Sequence, residues 1–421
     1  MRSKLFCRLL GVLLFAGVTP AHAAMFPVNS GYDLPDLDPG NGRCVAYIFI
    51  SPPFVLPFCT LRAAIQEANA LPGPDVIELG SGTYSLSLEG GQENLADSGD
   101  LDILDTVEIR GQGADHTIID GAALDRVIDI PVPGISVTLR GISIVNGRLP
   151  SGLAPVEQGG GAVRNRADLF IRQSRLSGST VEGNRDSDRG GGLLNQGNCT
   201  ITTTTIENNT SCNGGGIMND STGALFMDSG TVSHNTAASG GGLAVSGTAR
   251  LINSTLSGNF SLENGGAISN LGSTELIHCT LAGNTAAHGG GILNRKTVTL
   301  LNTLLADNPG NNCLPETTLT SQGFNLDSDG TCRLEKSTDL VLIDPELGPL
   351  ADNGGATATH ALPYSSPARD RGTMLEFVTL DQRGKRRSVG PFPDIGAFEA
   401  APPPVPAFFL LFLEKSASGR N

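Results

Sequence analysis

The chain has 421 residues, 55 of them Gly and none Trp, a composition with many small and apolar side chains for a long narrow core and few aromatics for a broad one. Its net charge of −14 becomes −17 once Arg2, Lys4 and Arg8 leave with an N-terminal leader. So acidic a chain excludes nucleic acid and anionic membranes as expected partners, because both are bound through Lys and Arg that displace counterions; calcium and neutral glycans remain compatible.

Residues 1–23 read as a secretory signal: the three basic residues precede an apolar run from Leu9 to Val18, and Ala21-His22-Ala23 is a small-x-small cleavage site. The mature chain is therefore expected to be secreted or held at the cell surface, where cysteines pair. Residues 24–75 make a lead and a cap. The turn-rich stretch from Gly31 to Gly42 carries Asp33, Asp36 and Asp38, which could ligate calcium through hard oxygens, although the spacing is not that of an EF-hand. Cys44 and Cys59 bracket an apolar loop, Val45 to Phe58, and are expected to form a disulfide. Thr60 then caps an amphipathic helix, Leu61 to Ala70, with Leu61, Ala64, Ile65 and Ala68 on one face. Pro72-Gly73-Pro74 stops it.

Residues 76–310 are organised by repetition. Irregular turns run to Asn146, and from Gly159 to Asn308 one phrase is written six times. Its first half is Gly-Gly-small-apolar, as in Gly214-Gly215-Gly216-Ile217, and the apolar residue returns after 30, 24, 26, 25 and 24 positions. Two residues later stands Asn165, Asn195, Asn219, Asn270 or Asn294, interrupted by Val245. Its second half is apolar-x-x-Asn, ending at Ser179, Asn209, Asn235, Asn259, Asn284 and Asn308. A third apolar run separates the halves, so each repeat offers three short strands and no segment for a helix. One such unit stacked on itself is an all-β, single-stranded parallel β-helix, in which each strand pairs with its counterpart one coil away. The glycines suit corners with positive φ or close backbone approach, and the asparagines suit internal hydrogen-bonded ladders in place of ligand sites. The helix of residues 61–70 is then the lid on the N-terminal end, covering exposed strand edges and core.

Beyond Pro309 the phrase stops. Residues 311–400 hold strands, turns and a second expected disulfide, Cys313 with Cys332, and are expected to cap the C-terminal end of the coil. Residues 401–421 form a Pro-rich tail whose apolar run, Ala407 to Leu413, is too short to span a bilayer. No membrane span remains after the leader is removed. With both ends covered, a monomer is the default expectation.

Three stretches resemble known families. Cys59-Thr60-Leu61-Arg62-Ala63-Ala64-Ile65-Gln66-Glu67-Ala68-Asn69, followed by Pro72-Gly73-Pro74-Asp75-Val76-Ile77-Glu78-Leu79, is similar to the CSLREA-type domain of secreted bacterial proteins, which leads into right-handed β-helix repeats; the handedness is what this resemblance implies. The repeats themselves resemble those of polymorphic outer-membrane proteins. Asn311-Asn312-Cys313, Gly323 to Cys332, Leu350 to Gly355, Ser366 to Asp370, Asp381 to Gly384 and Asp394 to Glu399 together look like the choice-of-anchor Q domain of exported proteins that end in surface-sorting tails. The tail departs from that pattern, so free secretion is the alternative to anchoring.

Right-handed β-helices include pectate lyases and polygalacturonases, whose chemistry makes particular demands on residue types. Hydrolysis of a glycosidic bond needs two suitably spaced carboxylates, and elimination from a uronate needs an Arg or Lys base with a cation. Asp220, Asp228, Glu263 and Glu275 share no position in the repeat, and His288-Gly289-Gly290-Gly291 is explained by the repeat itself. The expected ligand site is the long charged corner Thr180 to Arg189, with Arg185, Asp186, Asp188 and Arg189, and with Arg164, Arg166 and Arg172 as its neighbours. Asp327 and Asp329, in Asp-Ser-Asp-Gly beside the second disulfide, could hold calcium; no cofactor is required. The reading is an exported, non-catalytic protein that presents a long surface for adhesion or polysaccharide and cell-surface glycan binding, with a polysaccharide lyase or hydrolase as the alternative.

Overall fold

The computed structural model describes residues 23–51, 54–91, 93–152, 158–387 and 389–402. Residues 1–22 of the leader and the tail from 403 onward lie outside the described residues. The fold is a parallel β-helix. Among the described residues, three long parallel sheets of 11, 11 and 9 strands run the length of the coil, beside short two-stranded pairs and one α-helix.

The repeat explains the sheets. In the first, Leu169, Cys199, Leu225, Ala249, Thr274 and Val298 stand in register on successive coils; in the second, Leu176, Ile206, Val232, Leu256, Leu281 and Leu305 do; in the third, Val163, Leu193, Ile217, Leu243, Ile268 and Ile292. These files fill the interior. At the Gly-Gly corner, Gly214 has φ +66°, and a Cβ on Gly215 would meet Thr236 O at 2.5 Å and Gly241 O at 2.6 Å, so the pair is required by the turn and by the closeness of the next coil.

Both asparagine files are internal ladders. Asn165 donates to Asn195 at 2.8 Å and Asn195 to Asn219 at 2.7 Å. In the second file Asn209, Asn235, Asn259, Asn284 and Asn308 donate in sequence, at 3.1, 3.0, 2.8 and 2.9 Å, while each also donates to a coil carbonyl. Val245 stands in register between Asn219 and Asn270 and interrupts the first file.

The helix spans Leu61–Ala70, with the Thr60 hydroxyl accepting from Ala63 N at 3.1 Å. Its apolar face packs on Phe26, Val28 and Ile77 at the end of the coil. Its polar residues clamp the surrounding loops. Arg62 pairs with Asp33 at 2.6 Å and donates to the carbonyls of Ala96, Gly99 and Asp100. Gln66 donates to Ala96 O, Glu67 accepts from the amides of Gly40, Gly42 and Arg43, and Asn69 donates to Asp102 O. The expected apolar loop is an antiparallel hairpin, Ala46–Ser51 with Phe54–Phe58, closed by the Cys44–Cys59 disulfide.

The C-terminal region departs from expectation in two ways. The coil does not stop at Pro309: Cys313–Pro315, Leu319–Ser321 and Leu326–Asp327 add to all three sheets, because Leu319 continues the first sheet's interior file, Leu326 stands in register with Leu304, Asn312 extends the second asparagine ladder and Asn325 accepts from Thr303 N. The remaining segment, from about 350 to 400, folds back along the flank of the coil in place of closing its end. Gln382 bonds the hydroxyls of Thr231 and Thr255 at 2.9 and 2.6 Å, Ala397 N donates to Thr280, and Thr373 N to Asn302. Polar side chains on the second sheet's outer face thus find partners far along the chain. Cys313–Cys332 forms as expected, and Cys199, Cys212 and Cys279 are unpaired.

Candidate functional site

The expected site residues are mostly engaged in holding the coil. In the corner Thr180 to Arg189, Asp188 is buried and accepts from Arg185 N at 2.7 Å, while Arg189 donates to Asp186 O and pairs with Asp220 at 3.3 Å. Arg185 and Asp186 are exposed at its tip. Arg164 turns into the protein and pairs with Asp129; Arg166 donates to Gln196 at 3.1 Å; Arg172 lies on a different sheet. Arg164 and Arg172 therefore stand away from that corner, whereas Arg166 is joined to it through Gln196, which donates to the same Asp220 at 3.0 Å. Asp327 and Asp329 each use both oxygens locally: Asp327 accepts from Asn312 and Cys332 N, both at 2.8 Å, and Asp329 from Thr331 and Asn312 N. Asp33 and Asp36 likewise serve loops: Asp33 also accepts from Ser87 N and Leu88 N, and Asp36 from Val45 N.

Two other constellations stand out, both in the irregular coils and the first copy of the repeat that follows them. On the first sheet's outer face Arg110, Arg140 and Arg172 occupy one register position on three successive coils, headed by Glu78. Neighbouring parallel strands lie about 4.8 Å apart, and like charges directly opposite one another repel. Arg110 is paired with Glu108 at 2.7 Å, and this hydrogen bond, with help from Arg140 and Arg172, holds the Glu108 carboxyl below its usual range. Arg140 reaches Gln173 at 3.4 Å, and Arg172 lies over the Phe170 ring at 5.4 Å. Both are exposed, and among the described residues no carboxylate lies within ion-pair reach of either. A groove of ≈ 510 Å³ lined by Glu78, Arg110, Gln112, Arg140 and Gln173 runs beside the file.

The second constellation is buried. Asp102, Asp129 and Arg164 share one register position on the third sheet, and Asp100 and Arg126 join them. Arg126 pairs with Asp100 at 2.8 Å and Asp129 at 3.5 Å, and Arg164 takes both oxygens of Asp129. Burial pushes the Asp100 carboxyl up to about 7 and, with the Asp100 charge adding to it, Asp102 up to about 8. A cleft of ≈ 110 Å³ lined by Asp100, Asp125, Arg126 and Asp129 opens onto the cluster.

No family model matches the chain, and no curated protein does. Among solved structures, it is similar to pectate lyase Pel9A, with 13% identity and a TM-score of 0.38 over 77% of this chain and 88% of that one.

Neither constellation was signalled by the repeat phrase. Arg110, Arg140 and Arg172 recur after 30 and 32 positions, the first two in coils that lack the Gly-Gly corner and the third in the first copy that has it, so only the register of the folded strands aligns them. The arginine file faces out from the first sheet and the aspartate cluster from the third, so the two constellations do not share a face.

Proposed function

We propose that this is an exported β-helix protein that binds an acidic polysaccharide along the Arg110, Arg140 and Arg172 file and does not cleave it. The observation that carries the reading is the file itself: three guanidiniums in register on an open face, two of them without a carboxylate partner. A polyanion laid along the coil axis would relieve their repulsion through charge-assisted hydrogen bonds. Two disulfides, the signal-type leader and the resemblance of both ends to exported-protein domains support export to the cell surface or beyond; among the described residues no helix is long and apolar enough to cross a membrane.

Calorimetric titration with polygalacturonate and with a neutral glucan, at low and high salt, tests the reading. Binding of the uronate alone, weakening with salt, is expected. An equal affinity for the neutral glucan, or release of unsaturated uronate seen by ultraviolet absorbance, would overturn it, the latter in favour of a lyase.

A further inference from the structure

We infer that the buried cluster of Asp100, Asp102 and Asp129 is a divalent-cation site of the calcium type, separate from the arginine file and from the loops where calcium was expected. One carboxylate oxygen of each residue lies within 4.8 Å of those of the other two. Oxygens on opposite sides of a calcium ion, each at about 2.4 Å, are about 4.8 Å apart, so the three can share one ion.

Proximity of acids alone would not suffice. The second observation is Asp102: it is fully buried, its Oδ2 accepts from Ala96 N at 2.9 Å, and its Oδ1 has no hydrogen-bond partner among the described residues. The arginines account for its companions, Arg126 for Asp100 and Arg126 with Arg164 for Asp129, and no guanidinium reaches Asp102. Three carboxylates against two guanidiniums leave one negative charge in excess, and Asp125 on the wall of the cleft adds another. An uncompensated buried charge is costly, and a divalent cation supplies what is missing.

The surrounding structure is built to hold these oxygens still. Arg62 and Asn69 of the helix bind the carbonyls of Asp100 and Asp102, and Arg62 and Gln66 both bind Ala96 O, whose own amide group holds Asp102. The segment that resembles a CSLREA element thus positions the loop from Ala96 to Asp102. The cleft gives an ion a way in.

The experiment uses the full exported chain, stripped with a chelator and titrated calorimetrically with calcium chloride, with melting followed in parallel. One ion per chain and a Tm higher by a few degrees at saturating calcium are expected. Asp102→Asn, which keeps the acceptor for Ala96 N, is expected to weaken calcium binding at least tenfold and abolish the shift, whereas Asp327→Asn leaves both unchanged. If Asp102→Asn does not fold, Asp100→Asn carries the same test. No calcium-dependent shift in the native chain, or a shift kept in Asp102→Asn and lost in Asp327→Asn, would overturn the assignment; a Tm that rises with acidification from pH 8 to 6 and ignores calcium would assign the charge balance to a shared proton instead.

Discussion

One file along the third sheet has two halves that could hardly differ more. In the irregular coils and the first copy of the repeat it reads Asp102, Asp129, Arg164; in the copies that follow it reads Leu194, Met218, Ala244, in unbroken register and equally buried. The apolar half forms a small greasy cluster and asks nothing of its surroundings. The charged half is held because the segment Ala96 to Asp100, tied down by the cap helix, closes over it and supplies the Ala96 amide, while the coils themselves supply Arg126 and Arg164. Repetition makes a coil that satisfies itself; chemistry enters where repetition lapses and a loop can be tailored to one position.

The comparison breaks most severely at Arg62. Its guanidinium is fully buried between Asp33 and three carbonyls of the Ala96–Asp100 loop. Removing one partner of a buried pair strands the other, so Arg62→Met should cost about 4 kcal/mol. Chemical denaturation is expected to show that loss, and hydrogen exchange to place it in residues 24–150 while Gly159 to Asn308 stays protected. Uniform loss across the coil would mean that the irregular and regular coils unfold as one unit.

In the regular coils the corresponding test is Asn259. It donates to Val232 O and Asn284 and accepts from both the side chain and the amide of Asn235. Asn259→Ala leaves several buried groups unpaired at once and should cost about 3 kcal/mol, measured as a fall in denaturation midpoint, with no change in glycan or calcium binding.

The regular coils could be read directly from the chain because their cause is local and repeated: a glycine where a Cβ would strike the next coil, an asparagine where a ladder needs an amide, an apolar residue every coil. Thr60 and the Leu61–Ala70 helix were legible for the same reason, since cap and face lie within one segment. The buried cluster was not, because Asp100, Asp102 and Asp129 come from coils of unequal length and are assembled by the Ala96 loop. The backward fold of residues 350–400 was hidden too: Gln382 meets Thr231 and Thr255 across more than a hundred residues, and nothing in its own neighbourhood announces that.

That flank brings a pH dependence which the self-satisfied ladders lack. His278 is buried, its Nε2 accepts from Asn302 at 2.8 Å, and burial with nearby Arg387 pushes its pKa well below the usual 6.5. The unfolded chain takes up a proton near 6.5 that the fold refuses, so stability from this group is whole above that pH and is lost as pH falls below it, by up to about 1.4 kcal/mol per unit. Glu399, raised to about 8 by burial, changes with the opposite sign. The measurement is therefore a difference: melting from pH 7 to 5 in the native chain minus that in His278→Gln, expected to fall on acidification. A flat difference would mean that His278 becomes protonated inside the fold.

The smallest effect is expected at Arg140, and it separates the two kinds of coil most finely. Arg140 and Arg250 both stand on the outer face of the first sheet. Arg250, among the regular coils, is paired with Glu275 at 2.9 Å; Arg140 has only Gln173, at 3.4 Å, and lies between two other arginines. Exposed charges of this kind contribute less than about 1 kcal/mol. Arg140→Ala should therefore leave Tm unchanged or slightly raised, since it relieves the repulsion within the file, and weaken uronate binding about three- to fivefold while flattening its salt dependence. Arg250→Ala should leave binding where it was. If the two substitutions act alike on binding, the glycan is held by the net field of the coil and not by the file, and the irregular coils lose their claim to the ligand.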